Sequence, residues 1–99
     1  MTTEATTLAT LRALEAAIDA ADARIAALEA AADDARFALA YVDLDADGWD
    51  AAFKRRDARR TLDIAEARVF DARIDRTRLA ASIDAVRDSL KDSGRIFTF

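Results

Sequence analysis

Apolar residues recur along the first half of the chain with a seven-residue period. Position a of the heptad falls on Leu11, Ile18, Ile25, Ala32 and Leu39, and position d on Leu14, Ala21, Leu28, Ala35 and Val42. All ten are apolar. A 3.5-residue spacing sustained over five heptads predicts one long helix with a narrow apolar seam, the pattern of a left-handed coiled coil. The segment Ala13-Leu14-Glu15-Ala16-Ala17 returns as Ala27-Leu28-Glu29-Ala30-Ala31, which is the heptad repeating and not a solenoid unit. In the second half a matching seam runs through Ala51, Arg55, Ala58, Leu62, Ala65, Val69, Ala72, Arg76, Leu79, Ile83, Val86 and Leu90, and only Arg55 and Arg76 are not apolar.

Two seams of this kind predict an all-α protein: two long helices forming an antiparallel coiled-coil hairpin, packed in a larger helical bundle, with a short extended C-terminal tail. The expected bounds are a helix over about 4–42, a tip at 43–49, a helix over about 50–93, and a docking tail at 95–99. In an antiparallel pair the indices of facing residues have a constant sum, and of the sums the seams allow, only 97 leaves a workable tip. That register sets Leu39 against Ala58, Ala35 against Leu62, Ile25 against Ala72 and Leu14 against Ile83, so large side chains often meet small ones, as close packing requires. It also aligns Glu4 with Ser93, just before Gly94, a natural left-handed cap. Arg76 would face Ala21, with Asp19 and Asp22 placed to receive its guanidinium. Among flanking charges, Asp22 with Arg73 and Arg24 with Asp75 should attract, whereas Arg36 with Arg59 and Glu29 with Glu66 should repel.

A second apolar face lies opposite the first seam. Positions c and f carry Ala13, Ala16, Ala20, Ala23, Ala27, Ala30, Phe37, Tyr41 and Leu44, broken only by Asp34. Alanine is simply a good helix former, but Phe37, Tyr41 and Leu44 place large apolar groups at i, i+4 and i+7. On the second arm Ile64, Phe70 and Ile74 form a comparable cluster off the seam, and Trp49 and Phe53 follow the tip. A two-helix hairpin cannot bury both faces. The pattern therefore predicts a homo-oligomer, or a hairpin docked on a larger protein assembly.

Composition narrows the chemistry. The chain has 99 residues, near the size where one core is marginally adequate, and no proline to break either arm. With no cysteine and no histidine, disulfides, thiol nucleophiles, imidazole bases and the usual zinc ligands are excluded together. No constellation of acid, base and nucleophile emerges from the rest, so no enzyme is expected. The net charge of −4 is uneven: residues 1–50 carry three Arg against eleven acids, and residues 54–78 carry nine basic groups against five. The cluster Lys54, Arg55, Arg56, Arg59 and Arg60 is interrupted by Asp57 and lacks an aromatic stacking pattern, which reads as a solvated helix face and not a nucleic-acid site. Neither a signal peptide nor a membrane span is evident. A protein of the cytoplasm, or one incorporated in an assembly, is expected, with no membrane partner.

The tip holds the one metal-like motif. Asp43-Leu44-Asp45-Ala46-Asp47-Gly48 resembles the first half of an EF-hand calcium loop, with carboxylates at positions 1, 3 and 5 and Gly at 6. The resemblance implies Asp43, Asp45 and Asp47 as calcium ligands and a weak calcium-responsive binding module. Asp50 and Lys54, however, stand where that loop has an apolar residue and its bidentate Glu. A structural account uses the same residues: Asp47 caps the second helix, Asp50 sits at its positive end and Gly48 relieves the turn. On that account no cofactor is needed. The run Gly48-Trp49-Asp50-Ala51-Ala52-Phe53 resembles the Trp-x-Gly turn of small secreted helical hairpins, which implies an exported effector; here the Gly precedes Trp49 and Ala51 holds the place of that family's Gly.

The tail Arg95-Ile96-Phe97-Thr98-Phe99 alternates like a strand, with Phe97 and Phe99 on one side, and suits docking to a sheet edge or a groove. The reading these features favour is a structural or assembly protein, for instance a subunit of a virus particle.

Overall fold

The computed structural model describes residues 3–45, 48 and 50–92, with backbone alone at 3, 4, 43 and 45. Two helices of 43 residues each, α1 (Thr3–Asp45) and α2 (Asp50–Asp92), pack against one another as an all-α hairpin. The expected tail at 95–99, and with it Phe97 and Phe99, lies outside the described residues, as do Asp47 and Trp49. Among the described residues no helix is long and apolar enough to cross a membrane.

Packing divides the chain into residues 24–73 and residues 1–23 with 74–99. In the first unit the buried residues are Ala32, Ala35, Leu62, Val69 and Ala72, all on the seams. The remaining seam positions there are half-buried, apart from Arg55, which is exposed. In the second unit Ile83 and Leu90 are buried, and Leu11, Leu14, Ile18, Ala21, Arg76, Leu79 and Val86 are half-buried. The face that heptad periodicity selects is thus the one withdrawn from water. Among the described residues only a narrow stripe is buried, because one helix can cover only a single stripe of another.

Ion pairs across the hairpin report its register within each unit. In residues 24–73, Arg73 Nη2 donates to Glu29 Oε1 at 2.7 Å. In the other unit Arg76 Nε donates to Asp22 Oδ1 at 2.6 Å, and Arg87 lies 3.7 Å from Glu15. The index sums of these pairs are 102, 98 and 102, each slightly above the 97 of the seam. Side chains lean toward the N-terminus of their own helix, so in an antiparallel pair long side chains meet when both start beyond the level layer. Arg36 and Arg59, expected to repel, are each occupied by an acid of their own helix, Asp33 and Asp63.

The first helix runs three residues further than its sequence suggests. Asp43, Leu44 and Asp45 continue α1, leaving four residues to reach α2, well within the two to five or so that join antiparallel helices. Gly48 has φ of 75°, and the Ala51 N–H donates to its carbonyl at 3.2 Å, opening the first turn of α2. Nothing lies within 4 Å of a Cβ built at Gly48, so a side chain there meets backbone strain and no steric clash. Gly48→Ala should accordingly lower stability by about 1–2 kcal/mol, while Gly48→Asn, which tolerates the left-handed region, should cost much less; urea denaturation of the pair measures the difference.

Candidate interaction surface

The large apolar residues singled out from the sequence are mostly in water. Phe37 is 75% exposed, Tyr41 61% and Leu44 88% on α1, and Phe53, Ile64 and Phe70 are exposed on α2. Heptad phase explains α1: Phe37, Tyr41 and Leu44 occupy c and f positions, turned away from the a and d seam that packs on α2. The alanines of the same row, from Ala13 to Ala30, are exposed as well. Ile74 departs from expectation, being half-buried and not fully open to solvent. A branched side chain on a helix lies down over the turn preceding it, which withdraws part of its surface.

Among the described residues, the six exposed large apolar ones all fall in residues 24–73. There Phe70 and Val69 border a shallow groove of about 320 Å³ whose rim is formed by Glu29, Asp33, Arg36, Glu66 and Arg73. A comparable groove of about 330 Å³ in the other unit is lined by Ile18, Ala80 and Ile83 between charged side chains, Arg76 and Asp84 among them. Both are surface channels between helices. Each is apolar at its base and bordered by ion pairs.

The candidate calcium ligands sit differently from the loop they resemble. The backbone at Asp43 and Asp45 is helical, and Asp47 is outside the described residues.

Electrostatics single out one group. The Arg76 guanidinium is held above its usual range, first by its hydrogen bond to Asp22 and then by the charge of that carboxylate. A raised pKa on a base contributes stability at all pH values below the unfolded-state value, lost only as pH rises through the folded one. For arginine that window lies beyond any working pH, so the pair acts as a constant feature of the seam. Arg76→Leu would place an apolar residue in the stripe and release Asp22 to solvent. It should raise the thermal midpoint and make that midpoint less sensitive to salt, a result calorimetry at low and high ionic strength can check.

Glu29 as the acceptor for Arg73 was not anticipated from the level register, in which Glu29 faces Glu66. The signal was present in the residue types: an Arg five indices beyond level, leaning toward a Glu that leans toward it. No protein-family model, curated protein or solved structure matches the chain.

Proposed function

We propose that this chain is a non-enzymatic assembly protein, a coiled-coil hairpin that self-associates or docks on a protein partner through its outward faces. The observation that carries this reading is the exposure of six large apolar side chains over residues 37–70, next to a narrow buried core that includes Ala32, Ala35 and Ala72. Apolar surface left in water forgoes about 25 cal/mol per Å², and isolated soluble proteins rarely leave large apolar groups clustered in this way. Aromatic anchors beside small residues are what an interface uses: the small residues allow close approach and the aromatics supply the contact area. Exposure on both helices leaves room for more than one contact, as an assembly subunit requires.

Light scattering coupled to size-exclusion chromatography tests the reading. A defined multimer, or a stoichiometric complex with a protein partner, is expected. A stable monomer that keeps full helicity at micromolar concentration would count heavily against it.

A further inference from the structure

Resting on the assembly reading above, we propose that the outward face of α1 pairs with the same face of a second copy, antiparallel, in the register where facing indices sum to 57. The row of c and f positions from 13 to 44 is graded, with alanine at the N-terminal end and Phe37, Tyr41 and Leu44 at the other. Antiparallel pairing over the whole row sets Leu44 on Ala13 of the second copy, Tyr41 on Ala16 and Phe37 on Ala20. Each large side chain meets a small one, the condition for close packing, and two-fold symmetry makes every contact occur twice and closes the dimer.

Charge supports the same register independently. Asp34 is the one charged residue in the row, and it falls opposite Ala23 with Arg24 of the second copy beside it. Both Asp34 and Arg24 are exposed, and neither has an ion-pair partner among the described residues. The hairpin itself contains the geometric precedent. Arg76 occupies a seam position, Asp22 a position four residues after a seam residue, their index sum exceeds that of the seam by one, and they meet at 2.6 Å. Asp34 and Arg24 stand in the same relation, with the charges exchanged: a row position, a position four residues after Ala20, and a sum of 58 against 57. Parallel pairing would instead stack Asp34 on Asp34 and Phe37 on Phe37. Sliding the antiparallel pair by one heptad moves Arg24 about 10 Å from Asp34 and shortens the overlap.

Because the chain has no cysteine, placed thiols can read the register directly. Ala13→Cys and Leu44→Cys proteins, mixed and mildly oxidised, should form a heterodisulfide between copies. Ala13→Cys alone should form none, since antiparallel pairing separates its two copies by about 46 Å. Charge exchange provides a second measurement. Arg24→Asp should weaken association roughly tenfold by sedimentation, and Arg24→Asp with Asp34→Arg should restore it, circular dichroism confirming intact helices throughout. A homodisulfide of Ala13→Cys, a multimer without the 13-to-44 cross-link, or failure of the double exchange to recover association would overturn this pairing while leaving the assembly reading in place. A wild-type chain that stays monomeric up to roughly 100 µM, with no partner complex, would overturn both.

Discussion

Leu62→Ala should remove about 2–5 kcal/mol of stability, and Leu62→Asp should abolish cooperative folding. Leu62 is only 5% exposed, and its register partner Ala35 is buried with it. Truncation deletes the buried methyl groups and leaves a void that two long helices cannot close by shifting, since the same rigid seam continues above and below. An aspartate there would carry a charge into a stripe whose adjoining seam positions, Ala35, Ala58 and Ala65, are apolar. The loss is large against the whole, because a domain of this size has a margin of about 5–15 kcal/mol and the buried residues described include three alanines, which contribute little transfer energy. Urea denaturation at fixed protein concentration measures the effect, with Ile64→Ala, on the exposed side of the same helix, as reference. Equal midpoint shifts for Leu62→Ala and Ile64→Ala would contradict the assignment of the seam as the core.

The seam was legible because it is periodic. A run such as Leu11, Leu14, Ile18, Ala21 and Ile25 leaves a single way to bury a helix face, and every position of it is at least half-buried in the structure. Features resting on single residues were less legible. The sequence Asp-Leu-Asp at 43–45 has the composition of a loop, and acids at the C-terminal end of a helix oppose its dipole. Yet α1 continues through them with no basic residue in its last turn, an instance of local preference yielding to the surrounding fold. The pairing of Arg76 with Asp22 follows from the sequence, whereas that of Arg73 with Glu29 does not, for a different reason. Counting level indices treats side chains as perpendicular to the helix, whereas Arg73 and Glu29, which start beyond the level layer, lean toward their own N-termini and so meet.

The candidate surface was legible in part. Phe37, Tyr41, Leu44, Phe53, Ile64 and Phe70 are exposed as the heptad phase implies, and Ile74 is half-buried. An apolar surface is defined by what is missing from it. Burial is non-directional, so such a face specifies area and shape but carries no donor or acceptor pattern from which a partner's chemistry could be read. Only where charge enters the row, at Asp34 and Arg24, does the sequence acquire direction and register.

Replacing Phe37 and Tyr41 together with glutamate should separate the folding of the hairpin from its association. In the isolated chain both side chains project into water, 75% and 61% exposed, so their loss removes little packing. Glutamate is the better helix former of the three, so the helicity of the monomer should be kept and its stability should change by no more than about 0.5 kcal/mol. In the assembled state the same change removes two aromatic anchors, each worth roughly 1.5–3 kcal/mol when buried, and adds carboxylates that must be desolvated without a partner. The combined loss corresponds to weakening of self-association on the order of a thousandfold or more. Analytical ultracentrifugation with parallel circular dichroism reads both quantities on one sample. A double variant that sediments with the wild-type mass would remove the outward face of α1 from the interface. One that loses its helices along with its mass would show that the face stabilises the fold itself, and that the hairpin is not a separable unit.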